Sequence, residues 1–252
     1  MAAKYWRYSD IAQGTWTLAA GSANSVYPVT DLGLLLPFSP KPFKATSGTC
    51  TPRLTTGSAV TGVGVAIAGH NLAGVTVTIT NGAGLSTTLT LPANTLDGLW
   101  TNGFKSLAGL SNPSSTQWNF AISGASANVA INKILLLTNL RTWNVRWGVK
   151  AGLHYPSDVV MTELGAKHVY EQGVRSRPVI GTMNQEADRE AMEQLFADAR
   201  GESRVWGAVL DDSVNDCHIL RFTKDTFIPE RRTPGTVTMT IEAEELGLGQ
   251  AL

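Results

Sequence analysis

Glutamate is missing from residues 1–140 of this 252-residue chain. Acidic side chains there are limited to Asp10, Asp31 and Asp97, beside seven basic residues: Lys4, Arg7, Lys41, Lys44, Arg53, Lys105 and Lys133. A glycan hydrolase needs two convergent carboxylates, and this stretch has little from which to build them. Cysteine is scarce as well. Cys50 and Cys217 lie 167 positions apart (217 − 50), with no partners at metal-binding spacing. They read as reduced thiols, with a single bridge as the alternative. No apolar run approaches the ~18–20 residues of a membrane-spanning helix. The opening MAAKYWRYSDIAQGTW places charges and aromatics where a signal peptide would have its apolar core, so use without Sec export is expected. Formal net charge is +0 and the pI is about 6.9, which removes the electrostatic ground for a nucleic-acid or anionic-membrane partner.

Recognisable reaction chemistry is lacking too. His70, His154, His168 and His218 fall in no His-x-Glu, HExxH or His-x-His arrangement, and none is near a cysteine, so no metal site is expected. The LDDSVNDC stretch lacks the pattern of a calcium loop and reads as a hairpin turn. There is no Gly-x-Ser-x-Gly, no phosphate-binding GxxxxGK[ST], and no GxGxxG leading from a strand into a helix. Cys50 has no basic neighbour to lower its pKa. The expectation is a protein that is not an enzyme and holds no cofactor.

Charges number 10 in residues 1–140 and 30 in residues 141–252, as 13 basic and 17 acidic residues. So large a shift predicts two domains, with the boundary near 140–148. The first, residues 1–145, reads as an antiparallel jelly-roll or β-sandwich. Val63, Val65 and Ile67 alternate with small residues, Val75, Val77 and Ile79 alternate with threonines, and Trp118, Phe120 and Ile122 alternate with Asn119 and Ala121. That is the pattern of half-buried strands. Turn dipeptides such as Asn81-Gly82 and Asn112-Pro113 separate them. The second domain, residues 146–252, reads as a smaller α+β unit with strands around one packed helix at about 186–200. Ala191, Met192, Leu195, Phe196 and Ala199 share one helix face, and Arg200-Gly201 marks the stop. The fold class is therefore mainly β. Overall, 16% of residues are charged against ~25% in typical domains, a composition suited to assembly.

The tryptophans supply candidate contacts. Trp143 and Trp147 flank Arg146 at the domain boundary, and Trp and Arg are favoured where surfaces become interfaces. Packing between the two domains is the alternative role. Trp100 is a candidate for stacking on a sugar ring, whereas Trp118 is in phase with core residues.

Several stretches then resemble known proteins. AIAGHNLAGVTVTI resembles the strand, Gly-His-Asn-Leu, strand segment of tailed-bacteriophage structural proteins with a galactose-binding-like jelly roll. NKILLLTNL followed by WNVRWG resembles their passage into a second domain, and the Arg175-Ser176-Arg177 strand, the helix, VLDDS and TMTIEAEE continue the likeness over roughly residues 24–245. The resemblance implies a tail-tip or baseplate component of a virion. Such a part is assembled in the bacterial cytoplasm, forms a ring with other copies of itself, and joins the tail tube to adhesion proteins. The alternative is a carbohydrate-binding adhesin that recognises host glycans. KYWRYSD has no place in either pattern. On the residues themselves, His70-Asn71 reads as the corner between two strands, with Leu72 dipping back into the core.

Overall fold

The structure is a computed structural model. It describes residues 2–33, 42–91, 101–144, 150–151, 157–161, 167–171, 178–183, 186–211, 216–223, 230–233 and 236–245. The chain opens with β1 (Ala2–Trp6). It then builds two facing antiparallel sheets from β2 (Thr15–Ala20), β3 (Phe43–Lys44), β4 (Thr51–Thr61), β5 (Gly64–His70), β6 (Thr76–Asn81), β7 (Ser86–Thr90), β8 (Thr101–Ser106), β9 (Ser114–Ile122) and β10 (Ala130–Leu137). One sheet has the order β3-β10-β5-β8 and the other β2-β4-β9-β6-β7. Val65, Ile67, Ile134 and Leu136 of the first interlock with Trp16, Leu54, Val77, Ile79, Trp118 and Phe120 of the second in a single core. This is the expected β-sandwich.

The rest of the chain supplies β11 (Arg141–Asn144), β12 (Lys150–Ala151), β13 (Ser157–Met161), β14 (Lys167–Glu171), β15 (Pro178–Met183), α1 (Glu186–Ala199), β16 (Trp206–Asp211), β17 (Asp216–Phe222), β18 (Glu230–Thr233) and β19 (Thr236–Glu245). The main sheet here runs β11-β1-β16-β17-β19-β15-β12, with β18 also paired to β19, while β13 and β14 form a separate hairpin. The helix ends at Ala199, where Arg200 and Gly201 both take positive φ (50° and 61°). Met192, Leu195 and Ala199 pack on Tyr5, Trp206, Ala208, Leu220, Phe222 and Ile241. Phe196 meets Phe222 edge-on at 5.0 Å. The strands β16 and β17 pair antiparallel with Asp211 opposite Asp216, and residues 212–215 of the LDDSVNDC stretch, read from sequence as a turn, lie outside the described residues.

The strands β11 and β12 stand at opposite ends of that sheet, yet only six residue steps separate Asn144 from Lys150. Six steps reach at most about 23 Å. Seven strands laid flat would span about 29 Å. The sheet therefore curls, bringing its two ends towards each other.

Sheet membership crosses the expected division at 145/146. Tyr5 pairs with Arg141 on one side and with Ala208 on the other. The first five described residues thus belong to the sheet of the second half. The reading of residues 63–68 as a half-buried strand is corrected: all of β5 is buried. Val65 and Ile67 face the sandwich core, while Ala66 and Ala68 face the second sheet. The strand β10 is buried throughout for the same reason. Gly62 and Val63 lie between β4 and β5 rather than within a strand, and a Cβ on Gly62 would meet the Trp118 ring at 2.7 Å.

The layers meet in a third core of Trp6, Ile11, Ala66, Ala68, Phe104, Leu135, Leu137, Val205, Val209, Cys217 and Ile219. Trp6 on β1 stacks on Phe104 on β8, with ring centroids 6.4 Å apart and 8° between planes. The indole leaves no room for a side chain at Gly207, where a Cβ would overlap it. Removing so large a buried side chain costs about 3–5 kcal/mol. Trp6→Ala should lower the urea-unfolding free energy by that amount, and Gly207→Val should be at least as damaging. A loss below about 1 kcal/mol for Trp6→Ala would show that the indole does not hold the junction.

Candidate functional site

The corner between β5 and β6 carries the chain from one sandwich sheet to the other. Gly69 (φ 58°) and Gly74 (φ 73°) bracket it, in a conformation that favours glycine. His70 Nδ1 accepts the Leu72 backbone N–H at 3.2 Å. The ring proton is therefore on Nε2, which is buried without a hydrogen-bond partner. Leu72 is buried, at 1% exposure. Asn71 is exposed and fastens the corner to the neighbouring loop. Its Nδ2 donates to the Asn128 carbonyl at 2.8 Å, and its Oδ1 accepts the Ala130 N–H at 2.9 Å. Burial lowers the His70 pKa to about 4, so the imidazole is neutral at pH 7. Among the described residues no group of three His, Cys, Asp or Glu side chains could hold a metal ion.

A second polar cluster sits where the two halves join. Asp10, buried at 6% exposure, is its hub. Its carboxylate accepts the Arg7 N–H at 2.9 Å and takes Arg141 Nε and Nη2 at 3.2 and 3.3 Å. Its carbonyl accepts both the N–H and the hydroxyl of Thr138, at 2.8 and 3.0 Å. Nearby, Asn102 Oδ1 accepts the Gly69 N–H at 3.2 Å, and Asn102 Nδ2 donates to the Cys217 carbonyl at 2.8 Å. That single amide ties the corner, β8 and β17 together. At the helix end, Asp198 accepts the Ser9 N–H at 2.9 Å. The Asp10 carboxylate and carbonyl and both ends of the Asn102 amide thus bond to protein groups, whereas the buried Arg7 Nε makes no hydrogen bond and lies 3.6 Å from Asp10.

Two further buried groups bear on chemistry. Lys133 Nζ donates to the Asp31 carbonyl at 2.7 Å. Burial pulls its pKa down to about 8, and the charge of Asp31 works the other way. A lysine depressed in this way carries its penalty in full at neutral pH, and loses it as pH rises from about 8 towards 10.5. Cys50 is buried, and burial pushes its thiol up to about 12, so it is not a nucleophile. Neither cysteine is disulfide-bonded.

The side chains of the sequence-derived contact residues lie outside the described part. Trp143 lies on β11 opposite Ala3, and its side chain is outside the described residues, as are Arg146, Trp147 and Trp100. Trp6, Trp16, Trp118 and Trp206 are all buried. Sequence reasoning missed Asp10, Asn102 and Lys133. A signal existed for Asp10, one of only three acidic residues in the first 140.

No family model matches the sequence, and no curated protein matches it. Among solved structures, the chain is similar to a fucose-binding module of Streptococcus pneumoniae, SpX-3. The two share 8% identity at a TM-score of 0.38, over 51% of this chain and 96% of the module. It is similar to the lectin domain of lectinolysin complexed with Lewis B antigen, with 10% identity and a TM-score of 0.40 over 53% and 99% of the two chains. It is also similar to a chain in the structure of reduced XRCC1 bound to the DNA polymerase β catalytic domain, with 11% identity and a TM-score of 0.38 over 54% and 99%. None of these is a phage tail protein.

The corner has a measurable pH signature. His70 is protonated below about 6.5 in the unfolded chain but only below about 4 in the folded one. Its contribution to stability is present above pH 6.5 and is lost as pH falls through 4, amounting to about 3 kcal/mol. His70→Gln should remove that share of the acid sensitivity, seen as a flatter unfolding free energy between pH 6.5 and 4. Parallel profiles for the two proteins would refute the assignment.

Proposed function

We propose that this chain is a non-catalytic recognition and assembly part, in which a β-sandwich is presented at a fixed angle on a second, helix-backed sheet. The observation that carries this reading is the continuous core between the two halves. Trp6, Phe104, Leu135, Val209 and Ile219 are all buried there. Enzymes that work between two bodies usually need them to open and close, and a core of this kind resists such motion. The buried polar groups described above hold backbone and one another, which is the work of a scaffold.

The finer role has two readings. A virion tail part that joins copies of itself and neighbouring tail proteins rests on the sequence resemblance over residues 24–245. A carbohydrate-binding module rests on the sandwich architecture, and the ligands named for two of the solved structures above, fucose and Lewis B antigen, suggest fucosylated glycans as the first probes.

One experiment separates them. The purified chain is applied to an array of fucosylated, galactosylated and mannosylated glycans, and its mass is followed by sedimentation over a range of concentrations. Retention on a glycan set favours the adhesin. Assembly beyond a dimer with a blank array favours the tail part. A blank array without such assembly overturns both, and turnover of any glycan overturns the non-catalytic reading.

A further inference from the structure

The sandwich has four edge strands, and three of them are blocked. The strand β3 is two residues long. The strand β8 lies beside β17, tied to it by the Asn102–Cys217 hydrogen bond. The strand β2 has a register shift between Leu18 and Ala20 and packs against the 3-10 turn at Val29–Gly33. Among the described residues the strand β7 is different: it comes close to β8, but no strand pairs with its outer side. Its five residues, STTLT, pair with β6 in unbroken register and include no charge, proline or glycine. Natural sheets guard their edges with those very devices.

The register shows which backbone groups of β7 point away from β6. Asn81 N–H donates to the Leu85 carbonyl, and Leu91 N–H to the Val75 carbonyl. Odd-numbered residues of β7 therefore exchange bonds with β6, and Ser86, Thr88 and Thr90 turn their N–H and C=O groups outward. These three residues are also exposed.

We infer that this edge pairs with the same edge of a second copy, antiparallel, about a two-fold axis at Thr88. The pairing sets Thr88 against Thr88 and Ser86 against Thr90, and forms about six backbone hydrogen bonds. Hydroxyl meets hydroxyl at each of these three exposed positions, while Thr87 lies opposite Leu89 on the other face. This continues a ladder already present inside one copy, where the Thr76 and Thr90 hydroxyls are 3.2 Å apart. No like charges are brought together. An interface of this kind is isologous and closes on itself, and it does not depend on which partner the sandwich recognises.

Thr88→Cys tests the register directly. Residues in a hydrogen-bonded antiparallel pair have Cα atoms about 5.5 Å apart, within disulfide reach. The native Cys50 and Cys217 are buried. Mild oxidation should give a covalent dimer. Thr78→Cys, one strand further in on the same face, should give none. The unmodified chain should sediment at twice 26.9 kDa when concentrated. Thr88→Pro removes only an outward N–H, so it should sediment as a monomer and melt at an unchanged temperature. If Thr88→Pro fails to fold, the cysteine pair decides. A monomer at about 1 mM, equal cross-linking at both cysteines, or a dimer that survives Thr88→Pro would overturn the inference.

Discussion

The insertion of β1 between β11 and β16 is the constraint on which the rest depends. The strands β1 and β11 are adjacent and antiparallel, and the whole sandwich lies between them in sequence. The molecule is thus a hairpin into which a sandwich has been spliced. Two strands, rather than one linker, cross between the bodies. A single linker leaves a domain free to swing, whereas two crossings beside a shared core leave little freedom. Asp10 and Arg141 stand at these two crossings, 3.2 Å apart in ion-pair contact, so the polar hub holds both strands where they leave the sheet.

Placing a sheet between two others has a compositional cost that the residues record. The strands β5 and β10 have no solvent face, and both read as runs of apolar and small residues. The few polar groups within them need internal partners. Lys133 finds the Asp31 carbonyl, and His70 satisfies one ring nitrogen and leaves the other without a partner. Such groups weaken the folded state relative to apolar substitutes. The small residues Ala66 and Ala68 have the opposite effect, since their size lets the second sheet approach closely.

Much of the sandwich was legible because period-2 alternation reports a strand with one buried face. The strands β6 and β9 show it plainly, and so does the helix, through Met192, Leu195 and Ala199. The corner was legible from His70-Asn71 standing between two runs in strand phase. The strand β4 escaped notice although it is 11 residues long. Its inward positions include Pro52 and Thr56, which do not look like core residues. The strand β8 escaped because Asn102 and Gly103 occupy buried positions. The strand β1 was invisible for a deeper reason. KYWRYSD alternates in no simple way, because Tyr5 and Trp6 face different cores, and pattern alone cannot reveal a partner some 200 residues away. The same holds for the Asp10 hub, whose contacts at Thr138 and Arg141 are distant in sequence.

That separation also bears on the order in which the molecule can form. The sandwich holds local hairpins such as β6–β7 and can gather its own core once residues up to 137 are present. The strand β1 cannot do the same, because Lys4, Tyr5 and Trp6 pair with residues 207–209. During synthesis, β1 precedes that partner by about two hundred residues, at roughly 5–20 residues per second. For that interval the Trp6 indole has only the sandwich side of its pocket, Phe104 and Leu135 among it, and the side that Val209 and Ile219 will cover stays open to chaperones and to other chains. A long-range pairing that makes the finished protein rigid thus leaves one large apolar side chain of the nascent chain half covered for some tens of seconds.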